Sequence, residues 1–249
     1  MKRPVQLIGL HLLAAALLLC SADAGQRFVH PIVWPEPPVV TPGVNQSAPS
    51  DAVVLFDGKN FDAWSGADKW QPDEDGGFTA KGALRTKQEF SDCQLHLEYA
   101  APNPPKGRDQ GRGNNGIGFL GGRYEIQVLD SYENKTYFEG QCASVYNQRP
   151  PMVNACRKPG EWQTFDIVFT APRFDAEGKL AKPAYFTVLH NGVLVQNHTE
   201  VKGSTYYERP ATYTKHPEKA PLVLMYHGDP VRFRNIWIRE FKELEGKAK

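Results

Sequence analysis

The sequence predicts an all-β protein, most simply a two-sheet antiparallel sandwich, and three observations carry that expectation. Beyond the first residues, no segment shows a long helical period bounded by caps. Short alternating apolar runs recur instead, divided by clusters of Gly, Pro, Asn and Asp. Near the C-terminus, AYFTVLH and VLVQN are joined by Asn191-Gly192, the strongest short hairpin signal a sequence offers. No repeat of fixed period is present, which argues against a propeller or solenoid.

The elements follow in chain order. Lys2 and Arg3 precede an apolar run from Leu7 to Leu19, and Ala22-Asp23-Ala24 offers a small-residue cleavage site. Residues 1–24 therefore read as a secretory leader, and the mature protein is expected in the periplasm or outside the cell. The run is shorter than the roughly 20 residues a membrane-spanning helix needs. Lipid anchoring at Cys20 is the weaker alternative, because bulky Leu19 stands where lipoprotein signals carry a small residue. Residues 25–50 form a proline-rich arm or linker, either a spacer or an arm that packs Ile32, Val33 and Trp34 on the domain.

Residues 51–249 make up the sandwich. AVVLF meets the turn DGKN, and GFTA and ALRT flank Lys81-Gly82 as a predicted hairpin. In CQLHLEYA, Cys93, Leu95, Leu97 and Tyr99 share one face and Gln94, His96 and Glu98 the other. NGIGFL leads through Gly121-Gly122 into RYEIQVLD, CASVYN is the next expected strand, and WQTFDIVFT buries Phe165, Ile167 and Phe169. LVLMYH and VRFRNIWIREF close the domain. In the last, parity puts Phe233 with Trp237 and Ile236 with Ile238, and both Trp162 and Trp237 are expected in the core.

Charge excludes one class of partner. The 249 residues carry 29 Lys and Arg against 28 Asp and Glu, and removal of Lys2, Arg3 and Asp23 leaves a balanced chain. Nothing here would hold nucleic acid by long-range attraction. The three cysteines beyond the leader match no zinc spacing; Cys93 reads as a buried small hydrophobe, and Cys142–Cys156 is a candidate short-loop disulfide.

Two stretches carry candidate chemistry. Glu125 and Gln127 lie two positions apart on one face of a strand, about 7 Å from each other. A carboxylate beside a carboxamide suits sugar hydroxyls, which need both acceptors and donors; the alternative is a solvated outer face. His227 ends an apolar run just before the turn Gly228-Asp229-Pro230, a placement fit for an acid or base near neutral pH. Asn115, Tyr146 and Arg234 are further candidates for substrate binding. By parity Asp130 belongs with the apolar face, as a rim or structural residue. No P-loop, G-x-S-x-G, H-E-x-x-H or dinucleotide fingerprint occurs.

Taken together, LFDGKNFDAWSG, NNGIGF with YEIQVLDSY, PGEWQTFDIVF, VLHNGVLVQN and HGDPVRFRNIWIREF resemble the 3-keto-disaccharide hydrolase domain family, over about Asp51 to Phe241. The resemblance implies a concanavalin A-like sandwich acting on glycosides whose C3 hydroxyl has been oxidised to a ketone. Glu125, Gln127 and Asp130 match the family's E-I-Q-x-x-D strand, Asn115 its N-S-G asparagine, His227-Gly228 its H-G pair and Arg234-Asn235 its F-R-N stretch. Met225 and Asn114 depart from the glutamine and the N-S-G spacing often found there. A C3 ketone acidifies the C2 proton, so one base, Glu125 or His227, with the other as acid or orienter, suffices for elimination and hydration. Gln127 and Asn115 would then donate to sugar hydroxyls. The sequence requires no cofactor, although a divalent cation could stabilise the enolate. The alternatives are a non-catalytic lectin-like module and a conventional sandwich-fold glycosidase. Many sandwich-fold glucanases carry E-x-D-x-x-E on one strand, and here Gln127 stands in place of the Asp.

Overall fold

The computed structural model describes residues 30–249 except Lys69, so the leader lies outside the described residues. Two compact units are distinguished. In the smaller, Ile32–Val33 (β1) pairs antiparallel with Lys247–Ala248 (β16), a contact between the two ends of the chain that residue patterning does not reveal. No helix among the described residues is long and apolar enough to cross a membrane.

The larger unit, Pro38–Glu243, is the all-β sandwich that the alternating runs predict. One sheet joins Val193–Glu200 (β13), Tyr185–His190 (β12), Gln163–Thr170 (β9), Cys93–Ala100 (β6), Arg232–Glu240 (β15) and Val53–Phe56 (β2) in that order, with Phe78–Thr79 (β4) also on β15. The other runs Trp64–Ser65 (β3), Leu84–Phe90 (β5), Ala220–Tyr226 (β14), Asn115–Phe119 (β7) and Tyr124–Val128 (β8). Arg173–Phe174 (β10) and Leu180–Lys182 (β11) form a separate ribbon.

The core lies between the two large sheets. Leu95, Leu97, Tyr99, Phe165, Ile167 and Phe169 of one sheet and Leu84, Ile117, Tyr124 and Ile126 of the other are inaccessible to solvent. Phe119 of β7 meets Phe169 at 4.8 Å and Phe186 at 5.2 Å between ring centroids. These contacts bring the two inner faces together, as alternation in both sets of strands requires.

Four expectations fail for physical reasons. GFTA and ALRT do not form a hairpin: β4 pairs with β15 and β5 with β14 and β3, so the chain changes sheet at Lys81-Gly82. CASVYN is an irregular strap joined to β8 by the single bridge Ile126–Val145. In β15 the register slips between Arg234 and Trp237, and Asn235 takes a positive φ of 45°. That bulge resets parity, so Phe233, Ile236 and Ile238 all enter the core. Trp237 is buried as expected, at 6% exposure, but on the opposite face from Phe233, where it stacks on His96 at 5.2 Å and donates from Nε1 to the Gln46 carbonyl. Trp162, by contrast, is only partly buried, under the guanidinium of Arg234.

Candidate active site

β8 is the last strand of its sheet, and its two faces differ. Tyr124, Ile126 and Val128 point into the core, so Glu125 and Gln127 face away from it. They are nevertheless buried, Glu125 to 5% exposure and Gln127 to 1%. The strap 141–149 accounts for part of this cover. It satisfies the free edge of β8 through Gln127 N to Ser144 O (3.0 Å), Ala143 N to Gln127 O (2.9 Å) and Tyr146 N to Glu125 O (3.1 Å).

A cleft of about 450 Å³ opens over this face. Its floor is Glu125, Gln127 and Met225; Tyr146, Tyr206 and Tyr207 form walls, and His227 stands at one side. His227 Nε2 lies 3.8 Å from Glu125 Oε1. Among the described residues, Glu125 is the only carboxylate lining the cleft. The volume falls in the range of small-molecule sites.

The carboxamide of Gln127 is committed on one side only. Its Nε2 donates to Gln110 Oε1 at 2.9 Å and to the Gly140 carbonyl at 3.4 Å, whereas buried Oε1 has no partner. The expected donor to substrate is therefore an acceptor waiting for a hydroxyl. Asn114, also in the lining, likewise leaves Oδ1 unpaired while Nδ2 donates to the Gln110 carbonyl. Tyr146 and Tyr137 share a hydrogen bond of 2.7 Å between their hydroxyls. Burial, that bond and the charge of Glu125 push the Tyr146 phenol up, so it stays protonated near neutral pH.

The family profile of the 3-keto-alpha-glucoside-1,2-lyase-like domain matches residues 51–239. The chain belongs to this family. A solved structure of a candidate glycosyl hydrolase from Parabacteroides distasonis is 47% identical, with a TM-score of 0.78 over 83% of this chain and 93% of the other. Two more candidate glycosyl hydrolases from that organism, at 22% and 17% identity and TM-scores of 0.56, share the fold. They cover 76% and 77% of this chain and 99% and 94% of their own. No functionally curated protein matches the chain. As a 3-keto-alpha-glucoside-1,2-lyase-like domain, the chain is carbohydrate-active and hydrolase-like.

Of the six residues read from the sequence, the lyase-like domain brings Glu125, Gln127, Tyr146 and His227 together in the cleft. The other two lie elsewhere. Asn115 is fully buried on the side of Ile117, and its Nδ2 donates to the Asp229 carbonyl at 3.0 Å. Asn114 N donates to Asp229 Oδ2 at 2.7 Å. The pair thus clamps the 227–230 turn and sets where His227 stands. Arg234 belongs to the other sheet, where alternation with inward Phe233 puts it on the outer face opposite Glu98; it bonds Glu98 Oε2 at 2.7 Å with Trp162 beneath it. Asp130, as parity indicates, is structural: it is paired with Arg112 Nε at 2.6 Å.

Residue patterning missed Gln110, Thr205, Tyr206 and Tyr207, which reach the cleft from irregular segments. It also missed the meaning of Gly116 and Gly118. These glycines occupy the cleft face of β7, and a Cβ at Gly116 would clash with Glu125 Oε1 and sit 3.0 Å from Met225 Sδ. Gly116 is the space in which the carboxylate rests, so the G-x-G alternation was a readable sign of the site. Gly116→Ala is expected to displace that carboxylate and lower kcat/KM at least tenfold with the melting temperature within a few degrees of the parent. A kinetic comparison alongside a thermal melt checks this.

Proposed function

We propose that the domain cleaves 3-keto-glycosides by elimination across C1 and C2 followed by hydration, with Glu125 as base and His227 as acid. The observation that carries this reading is a lone carboxylate in the cleft, facing an imidazole at 3.8 Å. A conventional glycosidase places two carboxyl groups about the anomeric carbon, and the described lining holds one. Elimination beside a ketone needs one base, one acid and a donor for the enolate oxygen.

Glu125 takes the proton from C2, and the electron pair moves onto the C3 oxygen. When the ketone reforms, the C1–O bond breaks, a C1–C2 double bond is left, and the departing oxygen receives its proton from His227. Water then adds across that double bond, oxygen to C1 and proton to C2, which completes hydrolysis. The protonated Tyr146 hydroxyl serves the enolate, Gln127 Oε1 accepts a sugar hydroxyl, and the Tyr206 and Tyr207 rings offer faces to the sugar or aglycone. Residues 1–24 are read as an export leader, so the substrate is met outside the cytoplasm.

A chromogenic 3-keto-glucoside and its unoxidised parent, each incubated with the purified protein, test the proposal. Aglycone should be released from the ketone alone, and deuterium from D2O should appear at C2. Comparable cleavage of the unoxidised glucoside would replace this reading with a conventional glycosidase. Saturable binding of both sugars without turnover would leave a lectin-like module.

A further inference from the structure

Behind the strap, two thiols, an imidazole and a phenol meet in the core. The Sγ atoms of Cys142 and Cys156 and a ring nitrogen of His190 all lie within 4.8 Å of one another. Tyr99 Oη is 3.0 Å from Cys142 Sγ and 2.9 Å from His190 Nε2, which also faces Gln163 Oε1 at 3.1 Å. Both thiols are free in this structure.

We propose that Cys142 and Cys156 are a disulfide-forming pair, whose cross-link closes the 142–156 loop and so clamps the strap that covers the edge of β8. Their backbones are already fixed side by side by a common anchor. Ser131 accepts from Cys142 N at its Oγ, 3.0 Å, and from Asn154 Nδ2 at its carbonyl, 2.8 Å. Asn154 in turn accepts from Cys156 N at 3.0 Å. The sulfur atoms already lie within 4.8 Å of each other, so the pair is positioned to close to a bond of about 2.05 Å. A metal is the weaker occupant, because the nitrogen and oxygen atoms of the cluster already have partners and none stands among the unpaired buried atoms.

The chemistry balances with an external disulfide such as oxidised glutathione. Two S–H bonds break and one S–S bond forms, while two electrons and two protons pass to the oxidant, which leaves as two thiols. The clamped segment carries Tyr146 and the three backbone bonds to Glu125 and Gln127. Closing a loop of about 15 residues removes entropy from the unfolded chain, and the cross-link keeps the roof of the cleft in register with its floor.

The test uses the purified full chain, incubated with oxidised glutathione, alkylated in denaturant and digested. A linked peptide pair containing Cys142 and Cys156 is expected, with Cys93 alkylated. Reduction should lower Tm by roughly 5–10 °C, and Cys156→Ala should abolish both the linkage and the sensitivity to reductant. The comparison of oxidised and reduced wild type stands even if the variant folds poorly. Free thiols at both positions after oxidation would overturn the proposal, as would a linked pair whose reduction leaves Tm unchanged. One equivalent of zinc that survives dialysis and blocks alkylation would identify the cluster as a metal site instead.

Discussion

Glu125→Gln should lower kcat/KM for a 3-keto-glucoside by about 10²- to 10⁴-fold, the usual loss when a positioned base is removed. That is about 3–5 kcal/mol of transition-state stabilisation. The substitution keeps volume and planarity, so the cleft floor retains its shape and the loss is chemical. The carboxylate of Glu125 is nearly buried, with the His227 ring opposite it at 3.8 Å. A neutral amide there should leave the melting temperature unchanged or raise it, since an almost unpaired charge is removed from a poorly solvated place. A large activity loss with no stability loss is the signature of a group kept for chemistry. Turnover within threefold of the parent would remove Glu125 from the role of base. His227→Ala separates the second role: as the acid, its loss should be felt most on glycosides with poorly leaving aglycones and least on chromogenic ones.

The legible parts of this fold were those in which one residue's environment repeats every second position. β6 and β9 show this well: Cys93, Leu95, Leu97 and Tyr99 oppose Phe169, Ile167, Phe165 and Gln163 in register. The pairing of β12 with β13 was written in Asn191-Gly192, where both residues have positive φ. Parity also placed Glu125 and Gln127 on a common face, but the inner face of β8 looks the same whether the outer one meets water or ligand. What buries them comes from outside the strand, in the strap and the 205–207 segment, whose irregular backbone leaves no period to read. Arg234 was misplaced for a different reason. It entered through the F-R-N resemblance, and residue order alone does not show that β15 lies in the sheet away from the cleft; the positive-φ bulge at Asn235 upset parity only beyond it, at Ile236, Trp237 and Ile238. Asn115 was misplaced because its neighbour, not it, faces the cleft. The alternation Asn115, Gly116, Ile117, Gly118 puts the asparagine with isoleucine, and a fully buried carboxamide then finds the Asp229 carbonyl. A functional motif and its supporting residue thus sit side by side in sequence and on opposite faces in space.

Acid should unfold the protein through His190, and this is the largest stability effect expected. The ring is 1% exposed, stacked at 4.6 Å on Phe165, with Nε2 between Tyr99 and Gln163. Burial, with a lesser contribution from the positive charge of Arg157, holds its pKa down to about 3, against about 6.5 in an unfolded chain. A histidine depressed in the folded state contributes stability that is fully present above pH 6.5 and lost as pH falls towards 3. The loss approaches about 5 kcal/mol at the acid end and is about 3 kcal/mol at pH 4. That is a large share of the 5–15 kcal/mol that holds a typical domain together. Carboxylates held below their usual range by cations, Asp51 by Arg239 and Asp75 by Arg232, also weaken the fold in acid. They act alike in wild type and in His190→Gln, so the difference between the two isolates the imidazole. At pH 7 the variant should be less stable by about 1–3 kcal/mol, for the buried hydrogen bonds it disturbs. By pH 4 urea denaturation should find that gap closed or reversed. Parallel stability curves from pH 7 to pH 4 would mean that His190 takes up its proton without unfolding the core, and the acid sensitivity would have to lie elsewhere.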